Sequence, residues 1–196
     1  MYESIWKIVC NTVSCGVCVC ICSRMDLQLN ELDLNFEAEV AASYYFGYDE
    51  ASSSHKFGLV LAYGRTDEEF NLISPGAVAF VTLYAPEFDG LSIPPGTYSA
   101  SANAAYGYSF SYGAPVSDKS NAVHDGIFEW SGEGTYVVFS QLGEDGQTVY
   151  PVQGGVISIE GEGDGVEVNA FFEAQKASFG FEFDGGIPFS DWTPAN

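Results

Sequence analysis

In the stretch 32-LDLNFEAEVA-41, apolar and polar residues alternate strictly from Leu32 to Val40. Leucine, phenylalanine, alanine and valine occupy the even positions from 32 to 40, whereas acidic residues and asparagine occupy the odd positions from 33 to 39. Successive side chains of a β-strand point to opposite faces of the sheet. The stretch therefore predicts a half-buried antiparallel strand whose even-numbered side chains face a core.

Further strand-like runs follow up to residue 185, and Pro-Gly and Asp-Gly turns separate them. The runs are 44-YYFGYDE-50, 57-FGLVLAYG-64, 77-AVAFVTLYA-85, 97-TYSASA-102, 127-IFEW-130, 135-TYVVFSQL-142, 156-VISIEG-161, 166-VEVNAFFEA-174 and 178-SFGFEFDG-185. Helical periodicity is absent from this part of the sequence. We therefore expect an all-β fold, a single antiparallel sandwich or barrel of about nine or ten strands, with residues 25–196 forming one domain.

Residues 1–24 differ from the remainder of the chain. All five cysteines lie there, and the apolar run 8-IVCNTVSCGVCVCICS-23 stands between Lys7 and Arg24. The run is short for a transmembrane helix and has the length of a signal-peptide hydrophobic region, so we predict a signal-peptide-like segment and export of the protein. The position of the start codon is left open, because Glu3 cancels the charge of Lys7.

The cysteines suggest two further roles for this segment. Lipoproteins are cleaved before a cysteine that follows a small residue, and Cys15 in 12-TVSC-15 is the one cysteine that fits, so it is the lipidation candidate. Metal binding is not expected, because an alternating C-x-C-x-C run places its thiols in a row rather than around a tetrahedral centre. A lipid anchor would then be the only contact with a membrane.

The charge of the chain excludes one class of partner. There are 27 acidic residues and only 6 basic ones, which gives a formal net charge of −21. Nucleic-acid binding depends on lysine and arginine contacts with phosphates, and docking on anionic lipid needs the same residues. We therefore expect no nucleic-acid partner.

Catalytic and cofactor motifs are missing from the sequence. It has no G-x-S-x-G, no H-E-x-x-H, no phosphate-binding loop and no dinucleotide fingerprint. With so many carboxylates, some pair satisfies any loose spacing rule for a glycosidase, so their abundance predicts nothing. The loop 161-GEGDGVE-167 lacks the ligand order of calcium loops. We expect a protein that is not an enzyme and has no cofactor and no metal.

The aromatic row 105-AYGYSFSYG-113 is the main candidate for ligand binding. In an extended chain Tyr106, Tyr108, Phe110 and Tyr112 would project from one face, with only glycine and serine between them. The row could be a surface on which a ligand stacks, one wall of the core, or an edge strand against a partner. Trp192, in the C-terminal tail, is the fifth candidate, whereas Trp130 is predicted to lie in the core because Phe128 shares its strand face.

A repeated pattern links two parts of the chain. The stretch 126-GIFEWSGEG-134 aligns with 155-GVISIEGEG-163, and both lead into strand-like runs. Two copies are too few for a solenoid or a propeller. We therefore predict two neighbouring hairpins, each with a GEG turn, in one sheet.

The order of these motifs resembles a known group of proteins. The motifs are 44-YYFG-47, 57-FGLVL-61, 81-VTLYAP-86, 93-IPPGTYS-99, 125-DGIFEWSGEGTYVV-138, 144-EDGQTV-149, 154-GGVISI-159 and 179-FGFEFDG-185. In this order they resemble the small all-β exported and lipid-anchored domains of gut Bacteroidota, which are often labelled lipoproteins or lipocalin-like (calycin-like) domains. The resemblance covers roughly residues 32–190. It implies a lipocalin-like barrel at the cell surface, at the outer membrane or in the periplasm, without catalytic residues to transfer.

The expected function is accordingly that of an exported, non-enzymatic domain that binds a glycan or a protein. Two alternatives stay open. One is a structural or adhesin-like module that assembles through its strand edges. The other is a barrel that carries a small apolar ligand. The sequence does not define an oligomeric state.

Overall fold

The computed structural model describes residues 32–102, 107–116, 123–124, 127–141 and 146–193. These residues confirm the predicted all-β class, because their regular structure consists of strands. The strands are β1 (Leu32–Glu37), β2 (Val40–Asp49), β3 (Ser54–Tyr63), β4 (Gly76–Ala85), β5 (Gly96–Ser101), β6 (Ser109–Ser111), β7 (Val123–His124), β8 (Ile127–Phe128), β9 (Tyr136–Ser140), β10 (Thr148–Glu162), β11 (Gly165–Ala174), β12 (Ala177–Gly185) and β13 (Phe189–Asp191). The predicted N-terminal segment, with Cys15, lies outside the described residues.

Eleven of the strands form one sheet, in which five close into a ring. Strand β4 pairs with β9 along one part of its length and with β6 along another, and β10 is shared in the same way by β9 and β5. Strands β5 and β6 pair with each other and complete the ring. Strands β3, β2 and β13 extend the sheet beyond β4, whereas β11, β12 and β1 extend it beyond β10.

The sheet is mixed rather than purely antiparallel as predicted. The pairs β1–β12, β13–β2 and β5–β6 are parallel. Parallel neighbours need long connections, and in two of these pairs the partners come from opposite ends of the described chain. An alternation pattern shows which face of a strand is buried but not which strand lies beside it, so the sequence could not indicate these pairs.

The opening stretch 32–41 forms parts of two strands instead of one. Alternation holds through Ala38, whose backbone N–H donates to the carbonyl of Glu182 on β12 at 2.7 Å. The N–H of the next residue, Glu39, donates to Ala62 on β3 at 2.8 Å. The chain therefore changes partner at this bend. It links the two arms of the sheet, one formed by β3, β2 and β13 and the other by β11, β12 and β1. The bend shifts the alternation, so Val40, which was predicted to face inward, is 43% exposed.

The inner face of the sheet encloses the main core. Strands β11 and β12, both predicted as strands, alternate in burial, with valine and phenylalanine inside and mostly polar residues outside. Large rings from both arms fill this core, including Phe57, Phe110, Phe172, Phe179 and Phe181, all fully buried. Burying side chains of this size is the main source of stability in a chain whose described part contains no cysteine.

A second cluster covers the outer face of β3, β4 and β9. It contains Val60, Val78, Phe80, Phe128 and Tyr136, with Trp130 packed against it. Strand β4 is therefore buried along its whole length on both faces, which explains why 77-AVAFVTLYA-85 is apolar without alternation. No helix long and apolar enough to cross a membrane occurs in the described part of the chain.

The repeated GEG pattern does not form two equivalent hairpins. The second copy is the turn region between β10 and β11. The first copy lies between β8 and β9, but β8 pairs with β7, and β9 pairs with β4 and β10. Short strands of two or three residues, such as β6, β7, β8 and β13, raise the strand number within the described residues to thirteen, above the nine or ten expected.

Candidate functional site

A β-bulge in β2 shapes the outer surface at one end of the sheet. Tyr45 lies opposite Phe57 and Gly47 lies opposite Lys56, so Phe46 has no partner on β3. Gly47 has a φ of 103°, a conformation that favours glycine. The extra residue leaves Phe46 and Gly47 together on the outer side, next to the outward-facing Tyr44.

Four aromatic rings line this outer surface. The ring centres of Trp192 and Tyr44 lie 4.8 Å apart. Tyr44 stacks on Phe46, with 6.4 Å between the ring centres and an interplanar angle of 16°. Phe46 in turn meets Trp130 edge-on, with the ring centres 5.9 Å apart. Trp192 is 63% exposed and the other three rings are half-buried. We call Trp192, Tyr44, Phe46 and Trp130 the aromatic strip.

The strip exists because β3 has a glycine beneath it. A Cβ at Gly58 would lie 2.8 Å from Cη2 of Trp130 and 2.9 Å from Cε2 of Phe46. Trp130 is also fixed by its indole N–H, which donates to the carbonyl of Gly134 at 3.2 Å. Gly58 thus gives the two rings a flat floor of backbone.

The first GEG turn is tied to the sheet beside the strip. The buried hydroxyl of Thr82 on β4 lies 3.1 Å from the carbonyl of Gly132 and 3.0 Å from that of Gly134. Both glycines have a φ of 78°. The turn holds Glu133 over β3, where its carboxylate accepts from the ammonium of Lys56.

A recess of about 320 Å³ opens next to the aromatic strip. Its floor comes from the outer faces of β2, β3 and β4, where Gly47 lies opposite Lys56 and Lys56 lies opposite Tyr84. We call it the polar recess, and its lining residues are Phe46, Gly47, Tyr48, Asp49, Lys56, Tyr84 and Glu133.

The polar recess combines one cation with two carboxylates. The Lys56 side chain is 16% exposed and the Glu133 side chain is 65% exposed, so the ion pair places its ammonium at the floor and its carboxylate at the rim. The ammonium also lies 5.5 Å from the centre of the Phe46 ring, within range of a cation–π contact.

Asp49 supplies a fixed charge. Its carboxylate accepts from the hydroxyl and N–H of Ser52 and from the N–H of Ala51. These bonds, led by that from the Ser52 hydroxyl, lower the pKa of Asp49, and Lys56 adds to the effect. The carboxylate is therefore both ionised and held in place by its own turn.

Tyr84 is the neutral donor of the recess. Burial, followed by the charges of Glu133 and Asp49, raises the pKa of Tyr84 from 10.0 to about 12. Its hydroxyl therefore keeps its proton at neutral pH. Together with the ammonium of Lys56 it gives the recess donors, whereas the carboxylates of Glu133 and Asp49 are acceptors.

The C-terminal segment borders both features. Strand β13 runs parallel to β2, and the N–H of Trp192 donates to the carbonyl of Tyr45 at 2.8 Å. Thr193 lies close to Gly47, because a Cβ added to Gly47 would be 3.5 Å from the methyl carbon of Thr193. A bond of 2.6 Å from the Thr193 hydroxyl to Asp191 steadies this end of the chain. The segment thereby orients Trp192 toward Tyr44.

The residues of the aromatic row lie elsewhere on the sheet. Phe110 on β6 is fully buried in the main core, where its ring meets Phe172 edge-on at 5.9 Å. Tyr108 is half-buried against Tyr98, with the ring centres 5.2 Å apart, and Tyr112 is 37% exposed. Tyr106 lies outside the described residues. Of the four candidates that the structure describes, Trp192 is the one that lies in the aromatic strip.

The polar recess was not predicted from the sequence. Lys56 lies on the outer face of β3, a strand whose residues are mostly buried, and Tyr84 lies on the fully buried strand β4. A lysine at such a position is a signal because the chain has only 6 basic residues. Glu133 was counted only among the many carboxylates. The glycines that flank it were a further signal, since they indicate a turn that requires positive φ.

No group of three or more acidic, histidine or cysteine side chains suited to a metal ion occurs among the residues that the structure describes. Comparison with family models, curated proteins and solved structures found no match to the chain. The function is therefore inferred from the site itself.

Proposed function

We propose that the protein is a non-enzymatic domain that binds a carbohydrate chain along the aromatic strip, with one sugar unit in the polar recess. The observation that carries this proposal is the position of Trp192. This large ring is 63% exposed and continues, through Tyr44 and Phe46, into a recess with hydrogen-bonding groups. An exposed ring normally costs free energy in water, so its placement in such a line favours a ligand.

The chemistry of the surface suits a sugar. The apolar C–H face of a pyranose packs on an aromatic ring, and its hydroxyls both donate and accept hydrogen bonds. The aromatic strip supplies the rings, whereas Lys56, Tyr84, Glu133 and Asp49 supply both donors and acceptors. Ligand sites generally combine apolar walls with a few convergent polar groups in this way.

The finer assignments belong to the same proposal. We infer that the fold is a lipocalin-like barrel, that the domain is exported to the cell surface, outer membrane or periplasm, and that Cys15 is the lipidation site. The resemblance to exported Bacteroidota lipoprotein-like domains and the apolar segment before Arg24 support these points. A labelled fatty acid fed to the expressing bacterium should label the protein, but not its Cys15→Ser variant.

The two alternatives are less well supported by the described residues. The core is filled by large rings such as Phe172 and Phe181, which disfavours a carrier of apolar molecules within it. The strand order ends in β13, which has only three residues, and in β1, which carries the acidic side chains of Asp33 and Glu37. Short or charged edge strands are poor templates for assembly. A stable oligomer in light scattering would favour assembly over sugar binding.

A glycan array probed with the fluorescently labelled full-length chain tests the proposal. We expect binding to a subset of oligosaccharides, with less binding to the corresponding monosaccharides because the strip is longer than one ring. An array without any bound glycan would contradict the proposed function.

A further inference from the structure

The charges around the polar recess point to the class of sugar that it accepts. Lys56 is the one cation among the lining residues, and the carboxylate of Glu133 already contacts its ammonium. Asp49 contributes a second carboxylate, which its turn holds in place. The three side chains together carry one net negative charge.

From this arrangement, and resting on the proposed carbohydrate function, we infer that the site selects neutral sugars and rejects uronates and other acidic sugars. A hydroxyl can accept from the Lys56 ammonium while it donates to Glu133 or Asp49. A carboxylate on the ligand can only accept. It would have to compete with Glu133 for the single ammonium and would face the charge of Asp49.

The surroundings of the recess act in the same direction. Burial is the main cause of the raised pKa of Tyr84, and the negative charges of Glu133 and Asp49 raise it further. Both carboxylates therefore act on a group at the floor of the recess. The chain as a whole carries a formal charge of −21, which lowers the association rate of anionic ligands at low salt. Selection against acids thus has a local cause in the recess and a general cause in the whole chain.

The test uses matched oligosaccharide pairs that differ only at C6, with a hydroxymethyl group in one member and a carboxylate in the other. Gluco- and glucurono-oligosaccharides form one pair, and galacto- and galacturono-oligosaccharides form a second. Calorimetry with the full-length chain in 50 mM salt should give at least a tenfold tighter Kd for the neutral member of a pair that binds, about 1.4 kcal/mol. Higher salt should reduce the difference in Kd between the neutral and the acidic member, because it screens the charges of the recess.

Two variants separate the local cause from the general one. Glu133→Gln makes the recess neutral, and Glu133→Gln with Asp49→Asn makes it positive. Affinity for the acidic member should rise at each step, by about fivefold per charge removed at an effective dielectric between those of protein and water. Glu160→Gln together with Asp184→Asn removes two exposed charges from β10 and β12, on strands that contribute no lining residue, and should change that affinity little. Circular dichroism confirms that each variant is folded, and Glu133→Gln alone suffices if the double variant is not.

The outcomes distinguish the two proposals. If neutral members bind and acidic members bind equally well or better, the inference on selectivity is wrong while carbohydrate binding stands. If the affinity for acidic oligosaccharides is the same in the parent protein, in Glu133→Gln and in the double variant of Glu133 and Asp49, the recess does not cause the selection. The inference is then also wrong. If neither member of any pair binds, the inference fails, and the glycan array decides whether the proposed function fails with it.

Discussion

The indole of Trp130 occupies the space that a side chain at Gly58 would need, since a Cβ there would lie 2.8 Å from its Cη2 atom. This contact places Trp130 and Phe46 at fixed positions beside the polar recess. It joins a loop to the middle of β3 across the outer face of the sheet. The site therefore depends on a missing side chain as much as on the side chains that line it.

Gly58→Ala should displace both rings. We expect a loss of about 1–3 kcal/mol in the free energy of unfolding, because an added methyl must push two packed rings from their places. Urea unfolding measures the loss, and a shift in tryptophan fluorescence reports the movement of Trp130. The control is Gly165→Ala, where a Cβ meets no atom within 4 Å. Equal stability of Gly58→Ala and the parent protein would contradict the proposed packing.

Thr82→Val should loosen the turn that carries Glu133. Valine keeps the shape of the side chain but cannot donate to the buried carbonyl of Gly132. An unsatisfied buried acceptor lowers the free energy of unfolding by about 1–3 kcal/mol. Urea unfolding checks the cost, with Thr97→Val as control because Thr97 is exposed on β5. If both variants lose the same stability, the hydroxyl of Thr82 does not hold the turn.

Stability should fall at alkaline pH through Tyr84. Its pKa in the folded protein, about 12, exceeds the ordinary value of 10.0, so the folded state keeps a proton that the unfolded state releases. The contribution is complete below pH 10 and is lost as the pH rises toward 12. Tyr84→Phe should show a shallower decline in urea midpoint between pH 10 and 11.5 when each protein is referenced to its own value at pH 8. Some decline remains, because burial also raises the pKa of Tyr98. Superimposable profiles for the two proteins would refute this role of Tyr84.

A row of like charges destabilises the outer face of the other arm. Glu167 on β11 lies directly opposite Glu160 on β10 and Asp184 on β12. Glu167→Lys converts two repulsive cross-strand pairs into attractive ones and should add about 0.5–1 kcal/mol. Thermal unfolding at low and high salt measures the gain, which salt should reduce. Glu87→Lys makes the same change of net charge on a loop, and a gain as large in this variant would assign the effect to net charge instead.

The sequence predicted what depends on local pattern. The runs 77-AVAFVTLYA-85 and 166-VEVNAFFEA-174 were both identified as strands, and they form β4 and β11. The prediction that Val40 faces the core was wrong, because the chain changes partner from β12 to β3 just before it. This change is a tertiary event, and it shifts the alternation by one residue.

The recess was missed for a related reason. Lys56, Tyr84 and Glu133 are far apart in sequence, and pairing between β3 and β4 brings the first two together while the Thr82 hydroxyl positions the third. Trp192 was a candidate from composition alone, but its neighbours could not be known. Only the parallel pairing of β13 with β2 places it beside Tyr44.

Trp192 provides the most direct test of carbohydrate binding along the aromatic strip. Calorimetry should compare the full-length chain with Trp192→Ala, using the neutral oligosaccharide that binds best on the array, and should include Leu91→Ala and Tyr112→Ala as controls. Leu91 is 75% exposed and Tyr112 belongs to the aromatic row, and neither lies in the strip. We predict a loss of about tenfold in affinity for Trp192→Ala, with the fold unchanged and the controls unaffected, because a stacked ring contributes about 0.5–1.5 kcal/mol beyond the area that it buries and about 1.4 kcal/mol corresponds to tenfold. Undiminished binding by Trp192→Ala, or equal losses in all three variants, would contradict the proposed site.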